Sequence, residues 1–209
     1  MSKIFLIPLA LCVFSGVIIY YFTITYMHTL KTENSSPPSS ETGTSMEAYF
    51  AGGCFWCMEG IFESQSGVIQ AVSGYAGGTQ ETANYEIVSA GQSTHREAVE
   101  VTYDPSVINF ATLVDLYYTQ IDPTQVDGQF ADKGYRYTTA IYHRNEQEKK
   151  IIENAKKILQ DSKKFEKPIA VQTIPFTTFF PAEDYHQDYL QKNPGGYTCH
   201  KIYFESYLT

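Results

Sequence analysis

Ala51-Gly52-Gly53-Cys54-Phe55-Trp56-Cys57-Met58-Glu59 is the stretch around which this chain is organised. The apolar run Ala48-Tyr49-Phe50 before it reads as a strand. After it, Met58, Ile61 and Phe62 fall at helical spacing. Two glycines at the junction permit a sharp turn and close backbone approach. Cys54 therefore stands where a strand becomes a helix. The unpaired N–H groups and dipole of a helix start favour an anion. A thiolate is stabilised there, which makes a cysteine nucleophilic near neutral pH. Phe55 and the only tryptophan of the chain, Trp56, follow at once. The plain alternative, a buried small hydrophobe, fits a strand-to-helix junction less well.

Cys12 lies in an apolar N-terminal run, which leaves Cys54, Cys57 and Cys199. A disulfide framework in a small secreted domain would use more cysteines, so these three read as a redox set. A net charge of −8 argues against a nucleic-acid partner. The 17 tyrosines supply core and hydroxyl donors alike.

Residues 1–27 form an expected membrane segment, since Ile4 to Met27 carries no charge and is long enough to span a bilayer. A cleaved signal peptide is the rival, but no small-x-small site stands close behind the run. An uncleaved single helix is favoured, with the domain outside the cytoplasm by the weak bias of Lys3. Residues 28–45 are Ser/Thr/Pro-rich and read as a solvated linker, so 46–209 is the catalytic domain.

Within that domain, strands are expected near 48–51, 68–75, 98–103 (half-buried), 137–142 and 169–174, with 176–180 extended. Helices are expected near 55–65, 110–120 behind an Asn109 cap, 145–161 behind a capping-box-like start, and 183–191. Residues 84–88 read as a loop or short helical turn, 126–136 as a glycine-containing loop, and the segment after Asn193 as a mobile arm. One connection is too short for a helix, which argues for an α+β fold with a mixed sheet.

Gly53-Cys54-Phe55-Trp56 resembles the active-site signature of the A-type peptide methionine sulfoxide reductases. Further matching pieces follow in order: Gly74 to Gly78, Asn84-Tyr85, His95 to Val99, Asp122 to Thr124, Gly128 to Gly134, and Tyr185-His186-Gln187. The resemblance implies a ferredoxin-like core with flanking helices and a long C-terminal coil. It implies reduction of methionine (S)-sulfoxide, free or in proteins, with thioredoxin or a similar dithiol as reductant. No cofactor or metal is expected, and the chain is expected to act as a monomer.

The residues meet the needs of that reaction. Cys54 would attack sulfur, and Glu97 matches the family's acid that protonates the departing oxygen. Tyr85 and Tyr137 match the two tyrosines that hold the oxygen, with Asp132 in support. Phe55 and Trp56 would wall in the methyl group. A Cys54 sulfenic acid then condenses with a second thiol. Cys199, in a glycine-flanked tail, is favoured over Cys57, one helical turn from Cys54. Two rivals stand beside this reading. One is a membrane-tethered CxxC oxidoreductase using Cys54 and Cys57. The other is a zinc module built from Cys54, Cys57, Cys199 and His200.

Overall fold

The structure, a computed structural model, describes residues 44–198. The expected membrane segment, the linker up to residue 43, Cys199 and His200 lie outside the described residues. No helix among the described residues is long and apolar enough to cross a membrane.

Six strands make one mixed sheet: β1 (Met46–Ala51), β2 (Val68–Ala76), β3 (Arg96–Tyr103), β6 (Ala140–His143), β7 (Gln172–Pro175) and β8 (Phe179–Pro181). Their order is β7-β6-β1-β3-β2-β8, with only the β6–β7 pair parallel. Between them run α1 (Phe55–Glu63), α2 (Tyr85–Ser89), α3 (Phe110–Gln120), the small hairpin β4 (Gly128–Gln129) and β5 (Asp132–Lys133), α4 (Glu146–Asp161) and α5 (Tyr189–Lys192). The sequence β1-α1-β2-β3-α3-β6 with spatial order β6-β1-β3-β2 is the ferredoxin-like core expected of this chain.

Side-chain alternation decides which face each residue serves. Ala48 and Phe50 of β1, and Val99 and Val101 of β3, join Phe55, Met58 and Phe62 of α1, Leu113 and Tyr117 of α3, and Ile152 and Leu159 of α4 in the main core. The Phe50 ring stacks on Phe62 and Tyr117 at 4.8 and 5.5 Å. Phe50→Ala would cost about 3–5 kcal/mol. Tyr49, Ala51 and Ala98 point the other way, into a smaller cluster closed by Phe176 and Phe179.

β3 keeps the expected alternation from Val99 onward, with Val99, Val101 and Tyr103 buried and Glu100 and Thr102 partly exposed. It starts two residues earlier than expected, at Arg96, and Arg96 to Ala98 are buried without alternation because both faces of the sheet are covered there. Tyr137 is not on a strand: Tyr135–Tyr137 form a 3₁₀ turn and β6 begins only at Ala140. Gly134, at φ 114°, breaks the extended run before that turn. The expected loop at 126–136 contains the β4–β5 hairpin, whose Gly128 (φ 142°) passes so close to Asp132 that a Cβ would lie 2.1 Å from its carbonyl oxygen. β7 is shorter than 169–174, since the N–H groups of Ile169 and Ala170 donate to Gln160 and Pro123 rather than to a strand. The single helix expected at 183–191 is split at Asp188, which is left-handed (φ 53°), into a 3₁₀ turn and α5.

Candidate active site

Gly53, at φ 95°, turns β1 into α1 in a conformation few residues other than glycine tolerate. Cys54 follows as the residue preceding the helix, buried, with its carbonyl accepting from the N–H groups of Cys57 and Met58. Its side chain makes no capping hydrogen bond to the first turn. The first N–H of α1, from Phe55, donates instead to Oε2 of Glu97 at 3.2 Å. The helix start thus holds a carboxyl beside the thiol, where the sequence suggested direct support of the thiolate.

Glu97 is 2% exposed on β3, facing the main core. Burial pushes its carboxyl up to about 8. Hydrogen bonds from Phe55 N–H and the Tyr137 side chain and the Arg136 charge oppose that rise, and Asp132 adds to it. The net result is a carboxyl that carries its proton at neutral pH.

Tyr85 opens α2, which Asn84 caps by accepting from Ile87 N–H at 3.0 Å. Burial raises the Tyr85 hydroxyl, and both Glu97 and Cys54 are close enough to raise it further. Tyr137 is also raised by burial and by Glu97. Asp132 of β5 interacts electrostatically with both Glu97 and Tyr137. Its Oδ1 accepts from the Tyr197 hydroxyl at 2.9 Å. Its Oδ2 is buried with no hydrogen-bond partner among the described residues. Cys54, Tyr85, Glu97, Asp132 and Tyr137 are therefore brought together from five separate segments.

Phe55 is buried and Trp56 half-buried, their rings 6.2 Å apart. Trp56 lies flat against Tyr189 of α5 at 3.6 Å and donates its indole N–H to Nδ1 of His186 at 3.1 Å. Cys57 is buried on α1, and its Sγ lies 3.7 Å from Oγ1 of Thr198. The end of the described chain thus reaches from Asp132, through Tyr197, to Cys57, through Thr198.

Three residues given no role from sequence belong to this neighbourhood. His186 is 1% exposed and packs on Phe55, Trp56, Tyr85 and Tyr185. Burial lowers its imidazole, so it is neutral, and Nδ1 is the acceptor. Only its membership of the Tyr185-His186-Gln187 motif hinted at this. Glu183 accepts from Tyr85 N–H and from the Tyr75 hydroxyl, each at 2.8 Å. Burial alone would raise Glu183, but these bonds and His186 hold it below the usual carboxylate range. Arg136 lies over the Tyr137 ring at 4.5 Å, and nothing in its loop sequence marks it.

Among the described residues, no group of three or more His, Cys, Asp and Glu side chains is placed to hold a metal ion. The arrangement offers a thiol, a protonated carboxyl beside it, two hydroxyls and an aromatic wall. That set suits transfer of an oxygen from a small polar group with an apolar neighbour.

A family model described as peptide methionine sulfoxide reductase matches residues 46–207. The peptide methionine sulfoxide reductase MsrA of Halalkalibacterium halodurans is 49% identical over 150 residues, 72% of this chain and 85% of that protein. The fold resembles Mxr1 from Saccharomyces cerevisiae in reduced form, with a TM-score of 0.72 and 29% identity over 78% of this chain and 94% of that one. A structure of Mxr1 in complex with Trx2 shares the fold at a TM-score of 0.51 and 20% identity, over 81% of this chain and 96% of that one.

Proposed function

The chain belongs to the peptide methionine sulfoxide reductase family, and on that premise we propose that Cys54 and Glu97 carry its chemistry. The protein is an oxidoreductase that reduces methionine sulfoxide to methionine at the expense of thiols. The observation that carries the assignment is the Glu97 carboxyl: buried, held by the Phe55 N–H at 3.2 Å beside Cys54, and protonated up to about pH 8.

In this reading the Cys54 sulfur attacks the sulfoxide sulfur while Glu97 gives its proton to the sulfoxide oxygen. Tyr85 and Tyr137 donate to that oxygen, and Asp132 supports them through hydrogen bonds or water. Phe55 and Trp56 wall in the methyl group. The net step converts methionine sulfoxide and the Cys54 thiol into methionine and a Cys54 sulfenic acid. A second thiol then attacks the sulfenic sulfur, giving a disulfide and releasing water. Cys199 is the favoured second thiol and Cys57 the alternative. A dithiol such as thioredoxin reduces the disulfide and restores both thiols; the complex of Mxr1 with Trx2 supports this partner. The (S)-epimer, in proteins or free, is the substrate, and the protein works as a monomer.

Trapping tests the assignment. One turnover with methionine sulfoxide, without reductant, should leave Cys54 in a disulfide in the wild type, and as a sulfenic acid that a selective reagent captures when Cys57 and Cys199 are both replaced by serine. Cys54→Ser should fold and neither turn over nor react; substantial turnover by that variant would overturn the assignment. The epimers, offered separately, should differ in rate.

The uncharged run from Ile4 to Met27 supports a membrane anchor, and Lys3 before it weakly favours the catalytic domain outside the cytoplasm. Retention in membranes through a high-salt wash tests it. A soluble mature chain beginning beyond residue 27 would show a cleaved signal peptide instead.

A further inference from the structure

We propose that Arg136 is a positioning residue of the sulfoxide reduction, a clasp that holds the two tyrosine-bearing segments on either side of Glu97. The inference rests on the reading in which Glu97 supplies the proton and Tyr85 and Tyr137 hold the oxygen. Arg136 projects from the 3₁₀ turn that also carries Tyr137, and its guanidinium carbon lies 4.5 Å from the centre of the Tyr137 ring. From there Nη1 reaches the carbonyl oxygen of Ser89 at 2.7 Å. Ser89 is the last residue of α2, and Tyr85 is the first. One planar group therefore ties the far end of the Tyr85 helix to the Tyr137 ring.

α2 has five residues, too few for a helix to hold its own shape. Asn84 secures its start through Ile87 N–H, and Arg136 secures its end. Without the second anchor the helix can tilt, and Tyr85 moves with it. The planar fork of arginine suits this double role, stacking on a ring while an edge donates a hydrogen bond.

The same group sets the local field. Arg136 is half-buried, makes no ion pair within 4 Å among the described residues, and keeps Nε buried without a hydrogen-bond partner there. Among the described residues, then, no contacting carboxylate cancels its charge. The groups around Glu97 are Cys54 and the Phe55 N–H from α1, Tyr75 from β2, Tyr85 from α2, Asp132 from β5, and Tyr137 with Arg136 from the turn. Arg136 is the one permanent cation among them. It opposes the effect of burial on Glu97, Tyr85 and Tyr137 alike. Glu97 is neutral before it gives up its proton and anionic afterwards. A fixed positive charge stabilises the second state over the first, so the proton leaves more readily.

Single-turnover rates with methionine sulfoxide, followed across pH by methionine formed, test this. Arg136→Gln should lower the plateau about tenfold and move the alkaline falling limb to higher pH, because Glu97 then holds its proton more tightly. Arg136→Lys keeps the charge and loses the fork, so its limb should stay in place while its plateau falls. A limb unmoved and a plateau within twofold of wild type in Arg136→Gln would overturn the proposal. If Arg136→Gln does not fold, Arg136→Lys decides: a plateau equal to wild type overturns the clasp. A lost fraction of folded protein would lower the plateau and leave the limb alone in both variants, which also counts against it. Glu97→Gln is the separate control: an alkaline limb that survives there refutes Glu97 as the acid, whatever Arg136 does.

Discussion

Trp56 donates its indole N–H to Nδ1 of His186 across 130 positions of sequence, and the two rings lie 5.6 Å apart. This bond, with the Tyr189 ring stacked on the indole at 3.6 Å, fixes the ring that walls in the substrate in the proposed reaction. His186 can accept only while neutral. Burial holds its imidazole below the ordinary value of 6.5, so the bond persists at pH 6.5 and is lost on further acidification. Trp56 is the only tryptophan, so intrinsic fluorescence reads this bond directly. A fluorescence transition with a midpoint below 6.5 is expected. It should vanish in His186→Phe, together with about a tenfold loss of kcat/KM borne mainly by KM. A transition that persists in the variant would show that another group moves the signal.

Glu97→Gln should slow single-turnover reduction by roughly 10²–10⁴-fold, the range of a lost general acid. The sign of the pH effect follows from a carboxyl at about 8. It is protonated below that value, so wild-type rates should hold at neutral pH and fall as pH rises through about 8. A variant with wild-type rates at pH 7 would refute the role.

Glu59, 1% exposed on α1, lies outside the proposed chemistry and tests burial energetics alone. Its Oε1 accepts from Ser73 N–H at 3.3 Å, and burial raises it from 4.5 to about 7. A folded-state value above the unfolded one gives a contribution that is complete below about 4.5 and lost as pH rises through about 7. The difference amounts to at most about 3 kcal/mol, at about 1.4 kcal/mol per pKa unit. Thermal melts should show stability falling between pH 5 and 8, and Glu59→Gln should flatten that fall. Glu97, raised from 4.5 to about 8, adds its own decline over the same range and up to about pH 8, so Glu59→Gln should reduce the fall and not abolish it. Parallel curves for wild type and variant would show that Glu59 does not titrate as described.

The resolving thiol is decided by kinetics. Cys199→Ser should complete one turnover and then stall with thioredoxin, and a small thiol should rescue it by attacking the sulfenic acid directly. Cys57→Ser should stall less, because Cys57 is fixed on α1, where an i,i+3 disulfide requires the first turn to adapt. Thr198 at 3.7 Å from the Cys57 sulfur shows that the tail approaches this helix. Normal recycling by Cys199→Ser with a stall in Cys57→Ser would reverse the order of the two candidates.

Local chemistry was enough to place α1, α3 and α4, the caps Asn109 and Asn145, and the turn at Gly53 before Cys54. Those features depend on residues within one or two turns of each other, where spacing and capping rules act. The ordered family motifs added the reaction and the pairing of Cys54 with Glu97. What sequence could not supply was everything that depends on residues far apart in the chain. Glu97 looks like a strand charge until β1, β2 and α1 bury it, and only that burial moves its carboxyl to about 8. Tyr137 looks like a strand residue until Gly134 and the β4–β5 hairpin turn it toward Glu97. His186 and Arg136 carry no local mark, since their partners Trp56 and Ser89 stand 130 and 47 positions away. Desolvation and long-range hydrogen bonds belong to the packed chain, and they decide which of many tyrosines and charges become a site.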